Sequence, residues 1–353
     1  MTRPEILIEI PKPDDFHIHL RQGAELQQYT HDVARSFRRV LAMPNTLPPL
    51  KTPEDLRDYR AQITKAAGVI GLFEEFTPLL TFKLGSDVPA TSVAALKKAG
   101  AVAGKLYPQG ATTNSEDGVQ DLGEMYPLIE AMEAEDLVLC IHGEDPTAFS
   151  LNREAAFLPK VAQLVQDFPR LRIVMEHITT SDAVTALNSF PDRVGATITL
   201  HHLLNNLDDL IGGFLNPHLF CKPVLKAPNH QQALVAAVLQ GHPKIFFGSD
   251  SAPHAVDQKE CAVGCAGVYT APVALPLLAE FFRAGDFLQG LEPFICHRGA
   301  DFYGLPRAGS LASDPQVALV AEPWTVPARY GRVVSYAAGS TVPYRVETRE
   351  VQK

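Results

Sequence analysis

Short apolar runs alternate along this chain with longer segments whose apolar residues recur at helical spacing. The runs cover 15–20, 39–43, 67–73, 101–107, 137–142, 171–177, 194–199 and 244–250. Most are continuous rather than alternating, the pattern of strands buried on both faces. Helical periodicity predicts helices over 53–66, 91–99, 122–134, 154–167, 181–188 and 231–239. Thr52 stands as a cap before the first, with Glu54 and Asp55 in its opening turn, and Gly100 closes the second. Alternating strand and helix predict a parallel sheet, and eight such units predict an α/β fold of the closed (β/α)8 TIM-barrel type. A doubly wound open sheet is the competing arrangement, but no Gly-x-Gly-x-x-Gly follows the first strand. The barrel core is assigned to about 12–305 of a single domain over 1–353, with an extension over 306–353. Extra short strands are expected at the N-terminus, where 1–10 alternate, and in 315–344, notably at Val317, Trp324 and 332–336. The tract 271–282, broken by Pro272, Pro276 and Glu280, reads as a buried helix.

Composition narrows the function. The 353 residues are 46% hydrophobic and 20% charged, the balance of a globular protein. Thirty-one Lys and Arg against 40 Asp and Glu give a net charge of -9. That argues against an electrostatic grip on nucleic acid or on an anionic membrane, while one well-placed arginine still suffices for a small anion. Five cysteines, Cys140, Cys221, Cys261, Cys265 and Cys296, are too few and odd in number for a disulfide framework. The N-terminal residues lack a signal-peptide core, and no run reaches the roughly 18 apolar residues of a membrane span. A cytoplasmic location is the expectation.

Chemistry gathers where strands end. His17 and His19 lie in the first strand, Asn45 follows the second, and Lys105 is near the end of the fourth. His142 ends the fifth, His177 the sixth and Asp250 the eighth. A barrel builds its active site at that C-terminal face. Taken singly, His-x-His is either a chelate or a pair of satisfied polar side chains, and each remaining histidine passes as an interior hydrogen-bonded one. Four histidines and an aspartate at one mouth are costly to bury unpartnered, at about 1–3 kcal/mol each, and a metal centre resolves that. Lys105 needs separate treatment, because an ammonium about 4 Å from a unit charge at an effective dielectric of 20 is repelled by about 4 kcal/mol, and a dication doubles this. Either it points away as a snorkelling side chain, or carbon dioxide has converted it to a carbamate that bridges two metals.

The motifs His17-Ile-His-Leu-Arg21, Met43-Pro-Asn45, Gly104-Lys-Leu-Tyr-Pro108 with Ala111-Thr-Thr-Asn114, Ile141-His-Gly143, Glu176-His-Ile-Thr179 and Gly248-Ser-Asp-Ser-Ala-Pro-His254 occur in this order. Together they resemble the dihydroorotases of the amidohydrolase superfamily, in their shorter stand-alone bacterial and fungal (type II) form. The resemblance spans about 15 to 324. It implies two zinc ions per subunit, with other divalent ions possible: His17, His19 and Asp250 on one, His142 and His177 on the other, and N6-carboxylated Lys105 bridging. It also implies that Arg21, Asn45 and His254 meet a substrate carboxylate, and that His19 and His142 face the substrate. The resemblance further implies that Lys222 and Ala266 meet ring amides through their backbones and that Thr112 and Thr113 tip a mobile loop. Lys222 departs from the apolar residue expected in many bacterial members, which a backbone contact tolerates. A homodimer is implied as well.

The expected reaction is the reversible interconversion of L-dihydroorotate and N-carbamoyl-L-aspartate in pyrimidine biosynthesis. In the hydrolytic direction a metal-bridged hydroxide attacks the ring amide, and Asp250 moves the proton to the departing nitrogen. A hydantoinase or dihydropyrimidinase is the nearest alternative, although substrates without a ring carboxylate give Arg21, Asn45 and His254 no common anion. A degenerate barrel kept as a binding scaffold is the non-enzymatic one. Cys261 and Cys265 read as loop packing, His201 and His202, which in a strand would face opposite ways, as structural residues, and 230–234 as helix without a catalytic role.

Overall fold

The computed structural model of the chain describes residues 5–69, 71–72 and 75–349. After a first strand, β1 (Ile6–Pro11), eight strands follow one another around a parallel sheet: β2 (Asp14–Ile18), β3 (Arg39–Ala42), β4 (Thr77–Lys83), β5 (Ala101–Leu106), β6 (Val138–Ile141), β7 (Ile173–Met175), β8 (Val194–Ile198) and β9 (Ile245–Phe247). Every residue of β2, β3 and β6 to β9 is buried, which is why their sequences lack alternation. Two backbone hydrogen bonds draw the last strand's end to the first: Asp250 N–H donates to the His17 carbonyl at 2.8 Å, and His19 N–H to the Ser251 carbonyl at 3.0 Å. The result is the (β/α)8 barrel.

Its interior is a packed core, with Phe16, Leu41, Ala103, Val138, Val174 and Phe246 filling the lumen. Phe16 stacks on Tyr303 with ring centroids 5.0 Å apart. Gly299 makes that approach possible, because a Cβ there would lie 2.3 Å from the Phe16 ring. A second, larger core lies between the sheet and the surrounding helices.

The third strand differs from the sequence expectation. Residues 67–69 of the apolar run end the helix Pro53–Val69, Ile70 and Phe73 lie outside the described residues, and the strand is β4. The remaining expected helices are present, as Val93–Lys98, Tyr126–Ala134, Arg153–Asp167, Ser181–Ser189 and Pro228–Leu239, and the proline-broken tract gives Ala274–Ala284. Thr52 and Asp55 reciprocally cap the first long helix, the Asp55 N–H donating to Thr52 Oγ1 at 3.2 Å and the Thr52 N–H to Asp55 Oδ2 at 2.8 Å. His201 and His202 are not in a strand: Thr199 caps a short helix, Leu200–Leu204, and both histidines are buried on it. Near the C-terminus, β10 (Gln316–Val320) pairs antiparallel with β1 and with β13 (Arg345–Arg349), while β11 (Trp324–Thr325) and β12 (Thr341–Val342) form a ribbon. Around 332–336 only a single bridge, Tyr330 with Val333, takes the place of the expected strand.

Candidate active site

The strand ends converge as expected. His17 lies in β2 and His19 one residue beyond it, with ring centroids 5.4 Å apart. His17 and His177 are 5.1 Å apart, and His142 and His177 4.7 Å. Asp250 Oδ1 lies 3.0 Å from His19 Nε2 and 3.3 Å from His17 Nε2. All are buried. His177 and Asp250 have φ of 40° and 45°, a left-handed backbone that non-glycine residues seldom adopt and that turns the chain sharply at the barrel rim.

Two carboxylates that the sequence reading passed over set the histidines. Glu176 Oε2 accepts a hydrogen bond from His17 Nδ1 at 2.7 Å and another from Thr197 Oγ1 at 2.6 Å. The Thr197 hydroxyl oxygen in turn accepts the His177 backbone N–H at 2.7 Å. Glu144 Oε2 stands 2.8 Å from His142 Nε2. Each carboxylate holds its imidazole proton on the far nitrogen, leaving a lone pair directed into the mouth. Burial pushes Glu176 upward, but the Lys105 and His17 charges outweigh it and hold the carboxyl at about 2. Asp250 is likewise raised by burial and lowered further by His17, His19 and His177, well below the usual carboxylate range. Burial brings His19 down to about 4.

These atoms fit divalent metal. Glu176 accepts the hydrogen bond from His17 Nδ1, which leaves His17 Nε2, 3.3 Å from Asp250 Oδ1, as the atom that can ligate a cation in place of a proton. His142 Nδ1 faces His177 Nε2 at 3.2 Å. Two ligands on one tetrahedral ion with bonds of about 2.0–2.1 Å stand about 3.3 Å apart, close to all of these separations. Lys105 is fully buried on β5, so it is no snorkelling surface side chain, and its Nζ has no hydrogen-bond partner.

Beside this cluster lies a corner built around Arg21. Arg21 is beyond the end of β2 rather than on its face, with φ of 58°; the Tyr59 hydroxyl donates to its carbonyl at 2.7 Å. Its guanidinium donates to the Pro253 carbonyl at 3.2 Å and to His254 Nε2 at 3.0 Å. Burial, reinforced by the Arg21 charge, brings His254 down to about 3, so the ring is a neutral acceptor. Asn45 donates to the Thr113 carbonyl at 3.2 Å while its own Oδ1 has no partner. Thr113 reaches across the mouth to the Ala266 carbonyl at 3.4 Å, and the Thr112 N–H donates to Ser115 within the loop. Lys83 pins that loop by donating to the Asn114 carbonyl at 2.9 Å and pairing with Asp117. Lys222 is half-buried and next to Cys221.

A family profile described as Amidohydrolase matches residues 15–251. Dihydroorotase of Teredinibacter turnerae is 45% identical over 343 residues, covering 95% of this chain and 97% of that one. Among solved structures, Saccharomyces cerevisiae dihydroorotase in complex with 5-fluoroorotic acid matches with a TM-score of 0.89 and 34% identity, over 97% of this chain and 99% of that one. Campylobacter jejuni dihydroorotase matches with a TM-score of 0.87 and 37% identity, over 98% and 99%. With its fold, its strand-end residues and its near full-length relatives in agreement, this chain belongs to the dihydroorotase family of amidohydrolases.

Proposed function

We propose that the protein interconverts L-dihydroorotate and N-carbamoyl-L-aspartate in pyrimidine biosynthesis, as a zinc-dependent cyclic amidohydrolase. The observation that carries this reading is the anion corner of Arg21, His254 and Asn45 set directly against the histidine–aspartate cluster. A cyclic amide carrying a ring carboxylate is the substrate that such a pair of neighbouring sites suits.

His17, His19 and Asp250 would hold one ion and His142 and His177 the other, with Lys105 between them as a carbamate. The buried, unpartnered Lys105 Nζ supports that modification, since an anion there neutralises what an ammonium would repel. When bound, divalent ions lower the pKa of water from about 15.7 towards 7 and polarise a carbonyl. Arg21 presents a planar fork to the substrate carboxylate, which Asn45 and the neutral His254 complete, fixing the ring's orientation. His19 and His142 face the substrate, and the backbones of Lys222 and Ala266 meet its ring amides. Asp250 accepts a proton from the attacking water and delivers it to the departing ring nitrogen, and runs the same transfer backwards in cyclisation. Thr112 and Thr113 close the mouth against bulk water. Glu144 and Glu176 keep the histidine tautomers fixed through the cycle.

A homodimer and a cytoplasmic location belong to the same proposal. The five cysteines, all free, suit a reducing compartment; among the described residues no helix is long and apolar enough to cross a membrane. The test is an ultraviolet absorbance assay with dihydroorotate and dihydrouracil offered separately, alongside metal analysis of the same preparation. Turnover of dihydroorotate by metal-loaded protein is expected; turnover of dihydrouracil alone would refute the proposal.

A further inference from the structure

A second group of ligand-type side chains lies beside the mouth, near enough for the Asp250 charge to act on it, and the proposed chemistry does not use it. The helix Leu200–Leu204 carries His201 and His202 with ring centroids 4.5 Å apart. Cys221 comes from the stretch after the short 3-10 turn Pro217–Leu219. All three are buried, and one potential ligand atom from each lies within 4.8 Å of the others.

One member of the group, His201, has no hydrogen-bond partner, while the other two share an acceptor. His202 Nε2 and Cys221 Sγ both point at the Pro223 carbonyl oxygen, at 3.0 and 3.2 Å. The carbonyl's two lone pairs accept both the N–H and the S–H, which brings the two donor atoms within 3.7 Å of each other. His202 Nδ1 then accepts from the Thr199 hydroxyl at 2.7 Å. Neither ring nitrogen of His201 has a hydrogen-bond partner, although the residue is fully buried. Leaving a buried polar group unsatisfied costs about 1–3 kcal/mol, a penalty that ligation removes.

We propose that His201, His202 and Cys221 form a three-ligand zinc site with a ligand set of its own, distinct from the histidine–aspartate cluster beside it. A tetrahedral ion with Zn–S of about 2.3 Å and Zn–N of about 2.0–2.1 Å separates a sulfur and a nitrogen ligand by about 3.6 Å, which the Cys221–His202 distance already matches. One thiolate and two imidazoles favour zinc over the hard cations, which take oxygen ligands. Loading exchanges protons for the ion: Cys221 loses its thiol proton to solvent, and the His202 proton moves from Nε2 to Nδ1. The Thr199 oxygen then accepts from that N–H where it previously donated, so one proton is released per ion. Burial pushes the Cys221 thiol up to about 12 and brings the His201 imidazole down to about 4. The ion would tie the stretch that carries Lys222 to the helix following β8. Neither its ligands nor its test depend on which reaction the mouth catalyses.

Cobalt(II) is the probe. Metal-free protein reconstituted with cobalt should show a sulfur-to-metal charge-transfer band in the near ultraviolet, which the mouth, offering only nitrogen and oxygen ligands, cannot produce. Cys221→Ser should abolish the band and lower bound cobalt by one equivalent per chain, whereas Cys261→Ser and Cys265→Ser should leave both unchanged. His201→Gln should weaken binding of that one equivalent about tenfold or more, and it carries the test if Cys221→Ser does not fold. Cobalt-saturated wild type without the band, or a band that survives Cys221→Ser or is undiminished in His201→Gln, overturns the site.

Discussion

Replacing Glu176 isolates the contribution of a carboxylate that never touches substrate. It accepts two buried hydrogen bonds, from His17 Nδ1 at 2.7 Å and Thr197 Oγ1 at 2.6 Å, and the first of these fixes which nitrogen of His17 faces the mouth. A hydrogen bond to a charged group contributes about 1.5–3 kcal/mol. At about 1.4 kcal/mol per factor of ten, its loss should weaken metal binding about 10–100-fold, the range typical of groups that orient metal ligands. Glu176→Gln preserves volume and leaves a neutral acceptor of about half the strength, so its loss should be about tenfold or less. Glu176→Ala should lie at the upper end. The assay is metal retention against a competing chelator at fixed temperature, with near-ultraviolet circular dichroism to establish folding. A purely structural role would lower the denaturation midpoint and leave the chelator titration at the wild-type value. A folded Glu176→Ala protein that holds metal as tightly as wild type would refute the reasoning.

Four further outcomes are expected. Lys105→Ala should lose one metal per chain on elemental analysis; full retention would exclude the bridge. Asp250→Ala should fold yet show no turnover in either direction, and activity near wild type would remove Asp250 from the proton transfer. Arg21→Met should raise KM for dihydroorotate about tenfold or more through loss of charge-assisted hydrogen bonds, with a smaller effect on kcat, and an unchanged KM would place the carboxylate elsewhere. Gly299→Ala should destabilise the protein by about 1–3 kcal/mol, because its methyl meets the Phe16 ring against Tyr303; an unshifted urea midpoint would show that this layer yields easily.

Most of the barrel was legible because strands covered on both faces leave an unmistakable apolar signature. The exception has a physical cause. Residues 67–69 are the end of a helix, with Ala67 buried and Val69 exposed, and a short apolar run does not by itself distinguish helix end from strand. The true strand, β4, opens Thr77-Pro78 and ends in a buried lysine, two features that weaken its strand pattern. The helix under His201 and His202 was not read for a related reason: Thr199 is an N-cap signal, but the helix it starts has only five residues. The convergence of His17, His19, His142, His177 and Asp250 was readable because barrel topology sends every strand end to one rim. Glu144 and Glu176 were not singled out, since nothing along the chain tells which nitrogen of a histidine faces inward. Their positions, two residues after His142 and one before His177, were the available clue.

The barrel's seam has a thermodynamic consequence. The Asp250 amide and the His17 carbonyl form one stitch and the His19 amide and the Ser251 carbonyl another, while the Ser249 N–H reaches Asp15 Oδ1 at 2.8 Å across 234 residues of chain. The hoop is therefore clasped by the same residues that are proposed to hold the ion. Any cation seated there pulls the two ends of the sheet together, so occupancy adds to global stability in proportion to RT ln(1 + [L]/Kd). In such a molecule a chelator acts as a denaturant, loosening the ring at its clasp.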